Sequence, residues 1–261
     1  MDTLSGRRVL ITGASSGIGP FLARRLREEG ATLILSARNG ERLDQLAAEL
    51  GQAEVIVADL SRPGGAEAVA EQAVPVDVLV ANAAVPASGE LTSFTVEQID
   101  RALNVNVRSA IVLANLLVPG MLAKGSGHVV LMASLHGKLP AALVSVYNAT
   151  KFGLRGFGLA LSQELKGTGV GVSVINPTFV RGAGMWAETG AETHALAGQA
   201  TPDQVAEAVI RGIKENRAEI DVAPLGARLA IAAPRLIGSV ARRLGATAIP
   251  PAAVERQAAK R

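Results

Sequence analysis

The chain of 261 residues contains no cysteine, and only 3% of its residues are aromatic. The absence of cysteine excludes disulfides, thiolate metal sites and a catalytic thiol, and it fits a reducing cytoplasm. Because aromatic side chains are few while 49% of the residues are hydrophobic, the core has to be built chiefly from Ala, Val, Leu and Ile. This composition is typical of helices packed closely on a buried parallel sheet.

Long apolar runs and a strong charge are also missing. The first residues, MDTLSGRRVL, lack the apolar stretch of a secretory signal, and no uninterrupted run reaches the roughly 18 residues that span a bilayer. The net charge of +3 is concentrated in residues 224–261, which carry seven Lys or Arg against one acidic residue. The rest of the chain is weakly acidic and gives no indication of nucleic-acid binding.

The length fits one cytoplasmic α/β domain, residues 1–223, with a basic amphipathic helical extension at residues 224–261. Leu and Ile recur in the extension at helical spacing with Arg between them. Such a helix could pack over the substrate pocket or cover a neighbouring subunit. Peripheral contact with an anionic membrane is the less favoured alternative.

Short apolar runs of strand length alternate with helical patterns along residues 1–223. Segments 20–29 and 41–50 carry Leu and Ala at three- and four-residue intervals, as surface helices do. This alternation predicts a single doubly wound, Rossmann-type domain: a parallel sheet of about seven strands with helices on both faces. A helix capped by Thr201 and a last strand complete it. The other predicted strands are 8–12, 32–36, 54–58, 77–81, 128–132 and 171–175.

A glycine-rich segment, TGASSGIG at 12–19, joins the first predicted strand to a helix. Its glycines would let the backbone approach a pyrophosphate, whose charge meets the unpaired N–H groups at the start of the helix. The spacing differs from the GxGxxG pattern. The alternative is that the glycines only punctuate the chain and pack helix on strand. The strand before the turn favours a dinucleotide site.

The second predicted strand leads into Arg38, about where an acidic residue would bind the adenosine ribose of NAD. An arginine can instead pair with a 2′-phosphate, so the sequence favours NADP(H) over NAD(H). A solvated surface arginine is the alternative. Arg42 could assist. Asp59, after the third strand, could lie near the adenine or serve as a turn residue.

Tyr147 and Lys151 stand four residues apart at the head of a predicted helix, so both side chains lie on one face. A tyrosine is a poor acid or base at neutral pH unless a neighbouring cation lowers its pKa toward neutrality, and Lys151 supplies that cation. We therefore expect the phenol to give a proton to a carbonyl oxygen, or to take one from an alcohol in the reverse direction.

Two further polar residues are candidates for the same site. Ser134 follows the fifth predicted strand, where its hydroxyl could stabilise charge on a substrate oxygen, or could serve only as a turn residue. Asn106 lies within an apolar helical pattern, so we expect it to be buried, hydrogen-bonded and able to hold a water near Lys151. His136 and Lys138 could line the pocket mouth, although a surface or structural role is expected for His136.

The ordered set of TGASSGIG, Asn82, Asn106, Ser134 and the Tyr147/Lys151 pair resembles the short-chain dehydrogenase/reductase family over residues 6–222. The resemblance implies an NADP(H)-dependent oxidoreductase that transfers hydride between the nicotinamide and a carbonyl or secondary alcohol of an apolar small molecule. It also implies a homodimer or homotetramer that associates through helices at 105–124 and 146–166. The alternative is a nucleotide-binding regulator or sensor of the same fold without turnover.

By this resemblance, Ser134, Tyr147, Lys151 and Asn106 form the catalytic set, and no metal is expected. Two departures from the family pattern concern the cofactor. Ala84 replaces a glycine, and the segment after the sixth strand lacks the usual threonine in register, so only backbone atoms of Val180 could hold the nicotinamide. The segment 181–198 that follows, with Trp186, is predicted to be a mobile lid or a surface loop. The implied cofactor contacts are Gly13, Ser15, Ser16, Gly17, Ile18, Arg38, Asp59, Leu60, Asn82, Tyr147, Lys151 and Val180.

Overall fold

The computed structural model describes residues 1–51, 53–187, 198–226 and 256–257. All strand pairs in these residues are parallel. In chain order the strands are β1 (Arg8–Thr12), β2 (Thr32–Ala37), β3 (Glu54–Val57), β4 (Val78–Ala81), β5 (Gly127–Met132), β6 (Val170–Pro177), β7 (Phe179–Val180), β8 (Gln199–Ala200) and β9 (Glu219–Val222). The main sheet has seven strands in the order β3-β2-β1-β4-β5-β6-β9, whereas β7 and β8 pair only with each other.

Helices connect successive strands of the main sheet, as the alternating pattern predicts. A π-helical turn, Asn104–Arg108, joins the fourth helix to the fifth, and 3-10 turns lie at Leu91–Ser93 and Leu135–Gly137. The helices are α1 (Gly19–Glu28), α2 (Gly40–Leu50), α3 (Gly65–Ala73), α4 (Val96–Leu103), α5 (Ser109–Lys124), α6 (Ser145–Glu164), α7 (Gly184–Ala187) and α8 (Pro202–Glu215). The predicted doubly wound architecture is confirmed.

The sheet is buried on both faces because side chains alternate along each strand. In β1, Val9 and Ile11 face one core layer and Leu10 faces the other. Buried side chains of α1, α2 and α8 fill the first layer, and those of α3, α5 and α6 fill the second. The core therefore needs few aromatic residues, because close helix–sheet contact replaces side-chain bulk.

One glycine shows how close that contact is. A Cβ atom at Gly158 of α6 would lie 2.5 Å from Val174 Cγ2 and 2.6 Å from Leu131 Cδ1. Both neighbours are fully buried strand residues. Only a glycine at this position allows α6 to lie directly on β5 and β6, and this contact sets the height of the α6 N-terminus above the sheet.

Successive strands are added on one side of β1 and then on the other. β2 and β3 lie on the first side, and β4, β5, β6 and β9 lie on the second. In open parallel sheets, ligands bind at the carboxyl ends of the strands near such a change of side. The residues after β1, β4, β5 and β6 meet at this edge. They include most of the side chains that the sequence singles out.

Within the described residues, one helical stretch, Val96–Lys124, is long and apolar enough to cross a membrane, with a mean hydropathy of 1.5 over its most apolar 18 residues. It consists of α4, the π-helical turn and α5. Half of its most apolar window is buried inside the molecule. A core helix has the same properties, and α5 packs against α3 and the sheet.

The boundaries around residue 200 agree with the sequence. The Thr201 side chain accepts a hydrogen bond from Gln204 N, and the Gln204 side chain accepts one from Thr201 N, which forms a capping box at the start of α8. The predicted extension, residues 224–261, lies almost entirely outside the described residues. Gln257, one of the few described residues of the extension, donates a hydrogen bond from Nε2 to the carbonyl oxygen of Met185, at 3.4 Å.

Candidate active site

The glycine turn, residues Gly13–Gly19, runs from the carboxyl end of β1 into α1. Gly13 and Gly17 have φ values of 66° and 61°, a backbone region that favours glycine. A Cβ atom at Gly13 would lie 2.8 Å from Ala83 Cα, and one at Gly19 would lie 2.2 Å from the carbonyl oxygen of Gly13. The turn is therefore folded tightly on itself and against the residues after β4.

Thr12 and Asn82 hold the glycine turn to the segment after β4. The Thr12 hydroxyl accepts hydrogen bonds from the backbone N–H groups of Asn82 and Ala83, both at 3.1 Å. Asn82 Nδ2 donates to the carbonyl oxygens of Thr12 and Gly13, at 3.0 and 3.2 Å. Asn82 thus shapes the turn through its own amide. Ala84, which replaces a glycine of the family pattern, fits without a positive φ.

The start of α1 suits an anionic group. The N-cap residue Ile18 makes no side-chain hydrogen bond to the first turn, and that turn contains no acidic residue. The first N–H groups of a helix have no intrahelical partner, and the helix dipole adds positive potential there. Ser16 is exposed, while Ser15 and Ile18 are partly exposed. The turn and α1 therefore offer a cradle that fits the pyrophosphate of a dinucleotide.

Basic residues surround the end of β2. Arg38 and Arg42 are exposed, and Asn39 accepts a hydrogen bond from Arg42 N at 2.9 Å as the N-cap of α2. Asp59 accepts hydrogen bonds from Ser61 N and Oγ, at 2.9 and 2.7 Å. Burial opposes its ionisation, but these bonds and the charges of Arg38 and Arg62 hold the pKa of Asp59 below its ordinary value.

Asp59 is thus a turn residue, one of the two roles that the sequence allows, and the charge of Arg38 acts on it. Its place near the adenine stays a prediction. Arg62 adds a second guanidinium to this group, which sequence reasoning missed because it lies in the loop after β3. Leu60, 9% exposed, follows Asp59 and packs in the core layer that α3 and α5 fill. The arrangement presents positive charge where a 2′-phosphate would lie beside the cradle.

The serine turn, residues Ser134–Lys138, follows β5. The Ser134 hydroxyl accepts a hydrogen bond from His136 N at 3.1 Å and lies 3.5 Å from the carbonyl oxygen of Pro177. The second distance is at the limit of a hydrogen bond, so the hydroxyl proton stays available for another acceptor. The serine turn therefore presents a donor at the carboxyl edge of the sheet.

Tyr147 lies in the first turn of α6 and interacts with the Ser134 hydroxyl. Burial raises the pKa of Tyr147 to about 12, and the hydrogen bond with Ser134 lowers it only in part. The expectation that Lys151 brings this pKa toward neutrality is wrong for this structure. Lys151 Nζ lies 5.6 Å from the centre of the Tyr147 ring, and the loss of water around the phenol has the largest effect on this pKa.

Lys151 is 2% exposed and donates a hydrogen bond from Nζ to the carbonyl oxygen of Met132, at 2.8 Å. Burial lowers the pKa of Lys151 to about 8, so the ammonium form still predominates at pH 7. An ammonium has three N–H donors, and Met132 accepts one of them. The predicted pair on one helix face is present, with its cation anchored to the end of β5.

Asn106 is buried in the π-helical turn between α4 and α5, as expected for a hydrogen-bonded polar residue. Its Oδ1 accepts from Val85 N at 2.7 Å, and its Nδ2 donates to the carbonyl oxygen of Val85 and to Thr150 Oγ1, at 3.1 and 3.4 Å. Thr150 Oγ1 in turn donates to the carbonyl oxygen of Tyr147 at 2.8 Å. The side chain thus connects α6 to the residues after β4; its predicted role in holding water stays a prediction.

The segment after β6 is fixed by short strands. Val180 in β7 pairs with Ala200 in β8, and its side chain is buried in the core. Beyond it, Gly184 of α7 approaches the glycine turn, since a Cβ atom at Gly17 would lie 3.3 Å from Gly184 Cα. The predicted lid therefore begins above the glycine turn. Residues 188–197 of that lid lie outside the described residues.

The remaining candidates lie around the serine turn. His136 packs edge-on against the rings of Tyr147 and Phe179, with ring centres 5.9 Å apart in both pairs, and burial lowers its pKa to about 4. Lys138 Nζ forms ion pairs with Asp221 and Glu219 of β9, at 2.6 and 3.1 Å. Its ammonium is thus bound to the sheet rather than available at a pocket mouth. In the described part of the chain, no group of three or more His, Asp or Glu side chains converges as a metal site would require.

Comparisons with known proteins agree with this geometry. The sequence profile of the short chain dehydrogenase family matches residues 7–194. The chain is 39% identical over 230 residues to the ketoacyl reductase HetN of Nostoc sp., covering 85% of this chain and 80% of that protein. It is also 31% identical over 230 residues to an uncharacterized oxidoreductase of Staphylococcus epidermidis, covering 86% of this chain and all of that protein.

Two solved structures show the same fold. A short-chain dehydrogenase from Sphingobium yanoikuyae in complex with NADPH superposes with a TM-score of 0.78 at 32% identity, covering 90% of this chain and 95% of that one. The L-sorbose reductase of Gluconobacter frateurii, complexed with NADPH and L-sorbose, superposes with a TM-score of 0.76 at 27% identity, covering 85% and 98%. The chain therefore belongs to the short-chain dehydrogenase/reductase family of oxidoreductases.

Proposed function

We propose that this protein is an NADP(H)-dependent carbonyl reductase, or secondary-alcohol dehydrogenase in reverse, with Tyr147 as the general acid or base. The observation that carries the proposal is the meeting of the Tyr147 phenol, the Ser134 hydroxyl and the Lys151 ammonium at the carboxyl edge of the sheet. The same edge holds the glycine turn. A nucleotide-binding protein without turnover would have no need of this combination.

The choice of NADP(H) is supported by the charges at the end of β2. Arg38 and Arg62 both act on Asp59, and no acidic residue stands at the end of the strand in place of Arg38. A guanidinium can form two parallel hydrogen bonds to a phosphate. The structures with NADPH from Sphingobium yanoikuyae and Gluconobacter frateurii add support from relatives of this chain.

The protonation state of Tyr147 favours reduction. With a pKa of about 12, the phenol is protonated at neutral pH, which is the form that can give a proton to a carbonyl oxygen. The Ser134 hydroxyl donates a second hydrogen bond to the same oxygen and stabilises the charge that develops on it. NADPH, when bound, supplies the hydride that reduces the carbonyl carbon.

Lys151 has two tasks in this proposal. Its anchored ammonium lies against the Tyr147 ring, where its positive charge favours the phenolate that remains after proton transfer. The N–H donors that Met132 does not use can hold a ribose hydroxyl of the cofactor. Asn106 supports the site from behind, because it ties the residues after β4 to α6 through Thr150.

The substrate class is an apolar ketone or aldehyde. His136 is uncharged at neutral pH and packs with Phe179 beside Tyr147, so the surroundings of the phenol are largely aromatic and neutral. A pocket of this kind favours a substrate without a charge next to its carbonyl group. A 3-oxoacyl thioester belongs in the test panel, because HetN is named as a ketoacyl reductase.

The test is oxidation of NADPH with a panel of ketones, aldehydes and 3-oxoacyl thioesters by the native protein and by Tyr147→Phe. We expect turnover with at least one carbonyl compound and a roughly 10²- to 10⁴-fold lower kcat in the variant, because the general acid is gone. NADPH binding, followed by the fluorescence of the cofactor, should persist in the variant. Native protein that binds NADPH tightly but reduces no carbonyl would favour the sensor alternative.

We also propose that two copies associate through α5 and α6. Leu116 and Leu122 of α5 and Phe152 of α6 are large apolar side chains that are 41–44% exposed, so both helices present apolar surface that a partner can cover. Such an oligomer is expected to work in the cytoplasm, as the cysteine-free composition suggests. Light scattering that gives a monomer mass at micromolar concentration would contradict the association.

A further inference from the structure

We propose that Asn148 is a positioning residue that clamps the serine turn to α6 and thereby sets the Ser134 hydroxyl against the Tyr147 phenol. The inference rests on the proposed function, because it assigns Asn148 a role that acts through Ser134. Asn148 follows Tyr147 directly in α6 and is 7% exposed. It belongs neither to the glycine turn nor to the residues that would touch a substrate.

Three hydrogen bonds form the clamp. Asn148 Nδ2 donates to the carbonyl oxygens of His136 and Leu139, at 2.5 and 3.0 Å. Its Oδ1 accepts from Ala141 N at 3.1 Å. A single side chain in the first turn of α6 therefore satisfies three backbone groups of the segment that leaves the serine turn. The amide thus forms three of the four hydrogen bonds open to it, and no apolar side chain of similar size can replace them.

His136 is the link between the clamp and Ser134. Its N–H donates to the Ser134 hydroxyl, while its carbonyl oxygen accepts from Asn148. The two side chains thus hold opposite ends of one residue. Removing the Asn148 amide leaves the His136 carbonyl without this partner and loosens the residue whose N–H orients the Ser134 oxygen.

The neighbourhood leaves little room for the turn to settle elsewhere. A Cβ atom at Gly137 would lie 2.7 Å from the carbonyl oxygen of Lys151, so the turn touches the α6 backbone. Further along, Leu143 has a φ of 63°, a strained conformation for a residue other than glycine. Its carbonyl oxygen accepts a hydrogen bond from Gly89 N. A strained connection of this kind needs fixed ends, and Asn148 fixes the end that leaves the serine turn.

The serine turn also has an attachment that does not involve Asn148. The ion pairs of Lys138 with Asp221 and Glu219 anchor it to β9. Loss of the Asn148 amide should therefore displace the Ser134 hydroxyl without detaching the turn or unfolding the domain. A loss of activity in an Asn148 variant can therefore be distinguished from a general loss of folding stability.

The experiment compares Asn148→Leu with the native protein, in the presence and absence of Ser134→Ala. Leucine keeps the size of the side chain and removes all three hydrogen bonds. In the native background we expect kcat to fall roughly 10- to 100-fold, because the Ser134 donor is misplaced. In the Ser134→Ala background we expect Asn148→Leu to change kcat less than about twofold, because the group it positions is already absent. NADPH affinity should stay within about twofold in every variant, since the cofactor contacts are untouched.

Two further measurements guard against a purely structural effect. Hydrogen exchange should show faster exchange of the Ala141 amide in Asn148→Leu, because its acceptor is gone. Ser173→Ala is the matched control: it removes two buried hydrogen bonds, from His128 and to the carbonyl oxygen of Arg217, in β6 beside the edge strand β9. It should lower the free energy of unfolding but leave kcat and the exchange of Ala141 unchanged. If Asn148→Leu does not fold, Asn148→Ser replaces it in the same cycle.

The outcomes separate the inference from the function on which it rests. If Ser134→Ala keeps native turnover, the proposed role of Ser134 fails and the role of Asn148 fails with it. If Ser134→Ala is impaired but Asn148→Leu is not, or if the two losses multiply, the clamp is overturned while the proposed function stands. Unchanged exchange of Ala141 overturns the clamp as well.

Discussion

Individual side chains at the ends of strands decide what this site can distinguish. Arg38 follows β2, Asp59 follows β3, and Ser134 follows β5. Each is held by a rigid strand but points into the crevice at the carboxyl edge. Substitution of such a residue should change binding or chemistry with little effect on the fold.

Arg38→Ala should weaken NADPH binding roughly 10- to 100-fold, because one charge-assisted contact to the 2′-phosphate is lost. NADH binding should change much less, since NADH has no such phosphate. Fluorescence titration of both dinucleotides measures the two affinities.

Arg211→Ala is the matched control for Arg38→Ala. Arg211 is also exposed but lies on α8 beside β9, at the far edge of the sheet. This substitution removes the same positive charge as Arg38→Ala and should leave the affinities for NADPH and NADH unchanged. Equal affinity of the native protein for NADPH and NADH, unaffected by Arg38→Ala, would refute the choice of NADP(H).

The sequence predicted the identity of the site residues better than their electrostatics. Tyr147 and Lys151 lie on one helix face because a four-residue spacing dictates it. The predicted direction of the pKa shift of Tyr147 was wrong, because this shift depends on how much water the surrounding residues exclude from the phenol in the folded protein. Thr12 and Asn148 were missed because their partners are backbone groups that only the fold brings close.

At the scale of elements, the contact between α6 and the sheet positions the catalytic pair. Gly158→Ala should destabilise the protein by about 1–3 kcal/mol, because the added Cβ meets Val174 and Leu131 in a filled core. Urea unfolding measures this change.

A second glycine of the same helix is the control. A Cβ at Gly156 meets nothing within 4 Å, so Gly156→Ala should stabilise the protein by up to about 1 kcal/mol through helix propensity. Equal effects of the two substitutions would show that packing at Gly158 does not limit the approach of α6.

Strand positions were predictable, but several connections were not. The six apolar runs match observed strands within two residues, because fully buried parallel strands are continuous apolar segments. The pair β7 and β8 was missed, since strands of two residues carry no periodic pattern. The helix predicted at 105–124 begins earlier, as α4, and contains the π-helical turn at Asn106. A one-residue bulge of this kind leaves no signal in hydrophobic spacing.

For the molecule as a whole, one buried histidine makes stability depend on pH. The Ser173 hydroxyl donates its only proton to the carbonyl oxygen of Arg217 at 2.7 Å, so His128 Nε2, 2.9 Å away, has to be the donor to Ser173. Burial, with a smaller contribution from the charged N-terminus, lowers the pKa of His128 to about 3. The unfolded chain binds this proton near the ordinary histidine pKa of about 6.5.

The contribution of His128 to stability is therefore complete above about pH 6.5 and declines as the pH falls toward 3, by at most about 1.4 kcal/mol per pH unit. His128→Gln keeps a donor for Ser173 and does not titrate. Urea unfolding between about pH 7.5 and pH 4.5 should show a steeper loss of stability for the native protein than for the variant. Parallel losses would mean that His128 is protonated in the folded state.

The ion pairs between Lys138 and β9 join two segments that the ribosome synthesises at different times. The dinucleotide cradle depends on β1, α1 and the residues after β4, all of which leave the ribosome early. The anchor of the serine turn is completed only when Glu219 and Asp221 have been synthesised. This anchor therefore cannot form until nearly all of the sheet has been synthesised, long after the segments of the cradle have emerged from the ribosome.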